Sequence, residues 1–198
     1  MIEVKKLTKR YGEKTVFNNL SFFIPEGANA VFTGRSGVGK TTLMRCIAGL
    51  ESPDSGEITG INGKRLSYVF QENRLIPQIS ALNNLLCFHP DSCRAKELLA
   101  AAGLLSDADT PVSDLSGGMK RRLAVVRALL YGGDIYFFDE PFRELDKSTA
   151  DTVRELVKRE TDGKTVILAT HEPADVDFFD ALKFEFTGSP MTLANQPL

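Results

Sequence analysis

The chain has 198 residues, 42% hydrophobic and 25% charged, with 24 basic against 26 acidic side chains and a net charge of −2. This is the composition of a globular protein, which excludes a disordered segment, and its charge balance gives no general pull toward DNA, RNA or anionic lipid. The longest apolar runs, such as Ile135–Phe138, are too short to span a bilayer. The opening MIEVKKLTKRYG lacks the apolar core of a signal peptide. Cys46, Cys87 and Cys93 are odd in number and irregularly spaced, so they read as free thiols in a reducing compartment. A soluble, cytoplasmic protein is expected.

In chain order, strands are predicted at Ile2–Leu7 and Phe17–Ile24, broken by Gly12 and by Pro25-Glu26-Gly27. A short strand over Asn29–Thr33 leads into the Gly-rich GRSGVGKTT, and Lys40–Leu50 reads as the helix that follows, closed by the turn residues ESPDSG. A hairpin is expected around Glu57–Asn62, then a strand at Ser67–Phe70. The middle changes character: Ala81–Phe88 and Arg94–Leu104 have helical spacing and few β-branched residues, with Pro90 and Gly103 as breaks. Met119–Leu130 continues LSGGMKRR as a helix. Ile135–Phe138 and Thr165–Thr170 read as buried strands on either side of an amphipathic helix over Lys147–Arg159.

Apolar strands alternating with helices imply an α/β fold with a mostly parallel sheet covered on both faces. The expected organisation is one domain over residues 1–198. Its core, with an antiparallel β N-terminal part, covers about 1–72 and 132–198, and a small helical lobe is inserted over about 73–131.

Two stretches have phosphate chemistry. GRSGVGKT fits the phosphate-binding loop pattern G-x-x-x-x-G-K-[ST], after a strand and before a helix. Its glycines let backbone amides face the phosphates, Lys40 reaches the β- and γ-phosphates, and Thr41 suits Mg²⁺. Ser116-Gly117-Gly118 opens a second helix, where a hydroxyl, unpaired amides and the helix dipole all favour an anion. IYFFDE delivers Asp139 at the end of an apolar strand, placed to support the metal, with Glu140 next in line to orient or deprotonate a water. On its own an Asp-Glu pair reads as a solvated turn; behind a phosphate loop the functional reading is preferred. His171 ends TVILAT at the same sheet edge, whereas His89 reads as structural. Cys87, His89 and Cys93 lack a fourth partner and tight C-x-x-C spacing, which argues against zinc.

The order of these motifs resembles the ATP-binding cassette (ABC) ATPases from Tyr11 to His171. Tyr11 matches the aromatic that stacks on adenine, although alone it is a turn aromatic. Gly34, Arg35, Ser36, Gly37, Val38, Gly39, Lys40, Thr41 and Thr42 match the Walker A loop. Gln71 in VFQENRLIP matches the Q-loop glutamine, alone a surface amide, which the resemblance places on the metal and among the catalytic groups. Leu115–Met119 match the signature motif, Phe138, Asp139 and Glu140 match Walker B with its catalytic glutamate, Leu145-Asp146 match the D-loop, and His171 the switch histidine. Asp146 alone is a helix N-cap.

The resemblance implies a P-loop ATPase using ATP and Mg²⁺. In that family the signature motif of one subunit covers the ATP held by Walker A of another. Ser116, Gly117 and Gly118 would then serve a second ABC subunit, identical or similar. It also implies integral membrane permease subunits, an importer with an extracytoplasmic substrate-binding protein, a peripheral position on the inner face of the membrane, and no nucleic acid. ENRLIPQISALNN, with apolar Leu75, Ile76 and Pro77, resembles the surface that meets a membrane partner. Import is preferred over export because the subunit is separate from any membrane span and DTPVSD lacks the acidic-Gly pattern of many exporters. The opposing class is a soluble ABC ATPase of DNA repair or translation. Three departures stand out. Met119 replaces the commonest Gln, RELD replaces S-x-LD, and the chain stops soon after His171, without room for a regulatory C-terminal domain.

Overall fold

The computed structural model describes residues 1–172 and 174–195. The elements are β1 (Ile2–Tyr11), β2 (Lys14–Ile24), β3 (Asn29–Thr33), α1 (Lys40–Ile47), β4 (Ser55–Thr59), β5 (Leu66–Val69), α2 (Ala81–Leu86), α3 (Ser92–Ala101) and α4 (Gly117–Tyr131). They continue with β6 (Ile135–Asp139), α5 (Lys147–Glu160), β7 (Thr165–Ala169), α6 (Ala174–Phe178), β8 (Leu182–Thr187) and β9 (Thr192–Asn195). The fold is α/β, as expected. The contacts divide it into two compact units: Met1–Leu66 with Asp134–Asp139 and Gly163–Leu198, and Ser67–Gly133 with Glu140–Asp162.

The first unit contains two sheets. β1 and β2 form a long antiparallel hairpin turned at Gly12-Glu13, which runs past the Leu7 end expected for the first strand to Tyr11↔Lys14. The expected hairpin at Glu57–Asn62 does not form. β4 instead pairs antiparallel with β1, Val4 opposite Ile58 and Lys5 opposite Glu57, giving the order β2-β1-β4. The reason is that β2 occupies only one edge of β1, and the other edge leaves a row of backbone donors and acceptors to be paired.

The second sheet of this unit runs in the order β6-β7-β3-β8-β9, parallel except for β9. β6 and β7 are buried along their whole length, five residues each, as strands covered on both faces are. Phe22 of β2 lies edge-on to Phe32 of β3 at 5.9 Å, and Phe32 to Phe186 of β8 at 5.1 Å, so one aromatic cluster fills the space between the sheets.

The second unit is helical. Leu85, Leu98, Leu99, Leu123 and Val126 are fully buried among α2, α3 and α4. Each helix starts on an oxygen that satisfies an otherwise orphaned amide. Ser80 accepts from the Asn83 amide, Asp91 from that of Arg94, Ser116 from that of Met119 and Asp146 from that of Thr149. α4 therefore begins at Gly117, two residues before the expected Met119. α5 groups with these helices by contact, and the Arg94 guanidinium of α3 reaches Glu160 at its end.

Candidate functional site

In the first unit, β6, β7 and β3 are neighbours and in register: Asp139 lies opposite Ala169, and Ala169 opposite Phe32. The loop after β3, the carboxylate ending β6 and the residues after β7 therefore share the C-terminal edge of one parallel sheet, where ligands of such sheets bind. Gly34–Gly39 turn from β3 into α1. Gly34 has φ +140° and a side chain there would meet the Phe186 carbonyl oxygen at 2.4 Å. Gly37 has φ +76° with open space beside it, so its backbone is accessible to a ligand. A cleft of about 630 Å³ is lined by Gly34–Val38 on one side and Glu185–Ser189 on the other.

Lys40, 6% exposed, opens α1, and its ammonium donates to the carbonyls of Gly34 (2.7 Å) and Arg35 (3.2 Å). The charge is thereby held over the loop whose amides it would assist. Thr41 and Thr42 follow in the first turn, partly buried, while Arg35 and Ser36 are exposed. A hydroxyl at Thr41 and a buried carboxylate at Asp139, 2% exposed, are hard oxygen donors of the kind Mg²⁺ takes. With a cradle that admits only glycine at Gly34, these residues fit a metal-bound nucleoside triphosphate.

His171 is exposed, its Nε2 3.4 Å from a Glu172 carboxylate oxygen. Its turn is pinned from below: the buried Thr170 hydroxyl donates to Asp175 (2.6 Å) and accepts from the Glu172 amide (3.0 Å). Tyr11, at the tip of the β1–β2 hairpin, is half exposed, donates its hydroxyl to Glu51 and has the Lys9 ammonium 5.1 Å from its ring centre. Partial burial and the bond to Glu51 push its phenol above its ordinary pKa.

The second unit holds Gln71, Glu140 and the Ser116 motif. Gln71 is exposed immediately beyond β5. Glu140 has left-handed backbone, φ +50°, and a side chain only 13% exposed, 3.7 Å from the Arg143 guanidinium. Ser116 and Gly117 are exposed at the start of α4. The glycine pair has a steric cause within the unit: a side chain at Gly117 would lie 3.0 Å from a Glu144 carboxylate oxygen, and one at Gly118 3.2 Å from the Glu144 carbonyl. Asp146 accepts from the Thr149 and Ser148 hydroxyls and the Thr149 amide, which hold its carboxyl far below the ordinary carboxylate range.

Three contributors escaped the sequence reading. The cleft wall at Glu185–Ser189 is the end of β8 and the turn after it, and the strand's LKFEFT alternation of apolar and polar residues is legible in the sequence. Glu144 owes its place beside Gly117 to the turn after β6. Arg121, 3% exposed, sits in α4 among apolar residues, and an arginine in an apolar stretch was its only signal.

Residues 17–143 match the family model for ABC transporters. The chain is 37% identical over 190 residues to the cytochrome c biogenesis ATP-binding export protein CcmA of Escherichia coli O157:H7, covering 89% of this chain and 91% of that protein. It is 36% identical, with the same coverage, to the CcmA of Escherichia coli strain K12. The solved dimer of the ATP-binding cassette MJ0796 in a post-hydrolysis state, bound to ADP and Pi, superposes with a TM-score of 0.88. It is 29% identical, and the match covers 100% of this chain and 98% of that one.

Proposed function

The chain belongs to the ABC transporter family of ATP-binding subunits, and from that premise we propose how its residues work and in which direction it drives transport. It is an ATPase that binds ATP with Mg²⁺ and serves a transporter. Bound Mg²⁺ neutralises phosphate charge. Thr41, Gln71 and Asp139 are the residues that would hold it, and Tyr11 takes the adenine.

The amides of Gly34–Thr42 and the Lys40 ammonium bind and orient the β- and γ-phosphates. Glu140 takes the proton of the attacking water as its oxygen bonds to the γ-phosphorus, while the bond to the ADP oxygen breaks. His171 donates to the transferring phosphoryl group. Ser116, Gly117 and Gly118 present the α4 helix start to the γ-phosphate held by a second subunit.

The observation that carries this reading is the pair of anion-binding helix starts, α1 in one compact unit and α4 in the other. One nucleotide on one chain has use for only the first. The dimeric state of MJ0796 supports the same arrangement.

No helix among the described residues is long and apolar enough to cross a membrane. Membership of a transporter family supports contact with the membrane through permease subunits at its inner face. Ile76, 42% exposed, supports such a surface: buried Asn84 accepts from its amide and donates to its carbonyl, which fixes the backbone and leaves the apolar side chain outward. The importer expectation finds no support among the relatives, which are export proteins by name. The direction is export, which needs no extracytoplasmic binding protein of the kind expected for import. Cargo used in cytochrome c biogenesis is the class to test first.

In the decisive experiment, Glu140→Gln elutes as a dimer on a sizing column with Mg-ATP and as a monomer without it. A monomer at saturating Mg-ATP rejects the two-subunit reading. Wild-type chain recovered from host cells free of membrane protein, with DNA or ribosomes instead, rejects the transport assignment.

A further inference from the structure

Arg121 is a buried cation whose donors reach backbone on two separate stretches of the second unit. One guanidinium nitrogen donates to the Phe70 carbonyl at 2.5 Å, the Gln71 carbonyl at 3.4 Å and the Asn73 side-chain oxygen at 3.2 Å. The other two donate to the Glu140 carbonyl, at 2.8 Å and 3.2 Å. Arg127, further along α4, donates to the carbonyls of Arg74 (2.6 Å) and Asn73 (3.0 Å). The segment Phe70–Arg74 therefore hangs from α4 by two arginines, and only Arg121 also grips Glu140.

Glu140 needs such a grip. Its φ of +50° is left-handed, a conformation a non-glycine residue keeps only where its surroundings over-determine it. Two charge-assisted hydrogen bonds onto its carbonyl, from a planar fork that cannot lose its charge, supply that constraint. The Arg143 amide donates to the same carbonyl at 3.2 Å, so this oxygen accepts from both α4 and the turn that follows it.

We propose that Arg121 is a positioning residue that locks the backbone of Glu140 to the Gln71 segment. Movement of that segment, which lies beside the exposed Ile76, is then transmitted to the placement of the Glu140 carboxylate. Arg121 touches no substrate in this role and acts through Glu140, so the inference rests on the reading of Glu140 as the base. A lysine at this position keeps the charge but has one nitrogen where the fork has three, so it holds both stretches more loosely.

The test uses the purified full chain with Mg-ATP and three variants, Arg121→Met, Arg121→Lys and Glu140→Gln. Arg121→Met is expected to lower kcat by about 10- to 100-fold, the scale of a small misplacement of a reacting group. KM and nucleotide affinity stay near wild type, and amide exchange accelerates in Phe70–Arg74 and Glu140–Arg143 together. Arg121→Lys should show the same pattern more weakly, and it decides the matter if the methionine variant does not fold. Unchanged exchange, exchange that rises in only one of the two stretches, or loss of kcat in step with nucleotide affinity and melting temperature overturns the proposal. Glu140→Gln separates the two readings: wild-type turnover there removes Glu140 as base, while the paired exchange response still judges the link made by Arg121.

Discussion

Replacing Gly34 with alanine tests whether the nucleotide loop is shaped by the strand beside it. The added carbon would sit 2.4 Å from the Phe186 carbonyl oxygen and 3.3 Å from a Val38 methyl, about 1 Å inside ordinary contact. The obstacle is the backbone of β8, which pairs with β3 over Leu182–Glu185 and with β9 at Phe186, so it cannot swing aside. Backbone strain at φ +140° adds about 1–3 kcal/mol, and forced overpacking another ~1–3 kcal/mol. At roughly 2–4 °C per kcal/mol for a chain of this size, Gly34→Ala should melt about 5–20 °C below wild type.

Gly37→Ala is the control, because its new carbon meets nothing within 4 Å. Only the left-handed backbone is penalised there, by about 1–2 kcal/mol, so its melting temperature should fall less. Gly37 lines the open cleft, so this variant should lose nucleotide affinity out of proportion to its stability. Thermal unfolding and titration with a fluorescent ATP analogue on both variants give the answer. A Gly34→Ala melt no lower than that of Gly37→Ala would refute the argument that β8 shapes the loop.

Two further outcomes follow from the ionisable groups. Cys46 is buried and its thiol is pushed up to about 11 by desolvation, whereas Cys87 and Cys93 are exposed. A thiol reagent at neutral pH should therefore titrate two cysteines in the native chain and three after denaturation, and rapid reaction of a third native thiol would count against the packing around α1. Asp146 has a folded pKa depressed by the hydroxyls of Thr149 and Ser148, so its contribution is complete above the unfolded value of about 3.9 and is lost as pH falls below it. From about pH 4 down to about pH 2, below the unfolded value and on the way to the folded one, the urea midpoint of wild type should drop more steeply than that of Asp146→Asn. Parallel curves would mean that the cap does not titrate.

Much of the site was legible because its signals are local. Gly34–Thr42 is a glycine turn and a helix start that follow directly on the short strand Asn29–Thr33. Ser116 and Asp146 are caps readable from the residues that follow them. Asp139 was placed by the apolar run that precedes it, since a fully apolar strand must be an inner one. What was missed depends on pairing at a distance. Nothing near Glu57 says that its partner is Lys5, because that choice is made by the free edge of a strand fifty residues earlier. The left-handed backbone at Glu140 cannot be read from its identity either, since glutamate has no preference for that conformation.

The sequence by itself determined the chemistry, because a phosphate loop, a strand-end carboxylate and capped helix starts are each specified by a few consecutive side chains. Only the tertiary structure decided which strand walls the nucleotide cleft, that a side chain at Gly117 or Gly118 would crowd Glu144, and what Arg121 holds. Those are questions of which surfaces meet, and burial and hydrogen-bond satisfaction settle them over the whole chain at once.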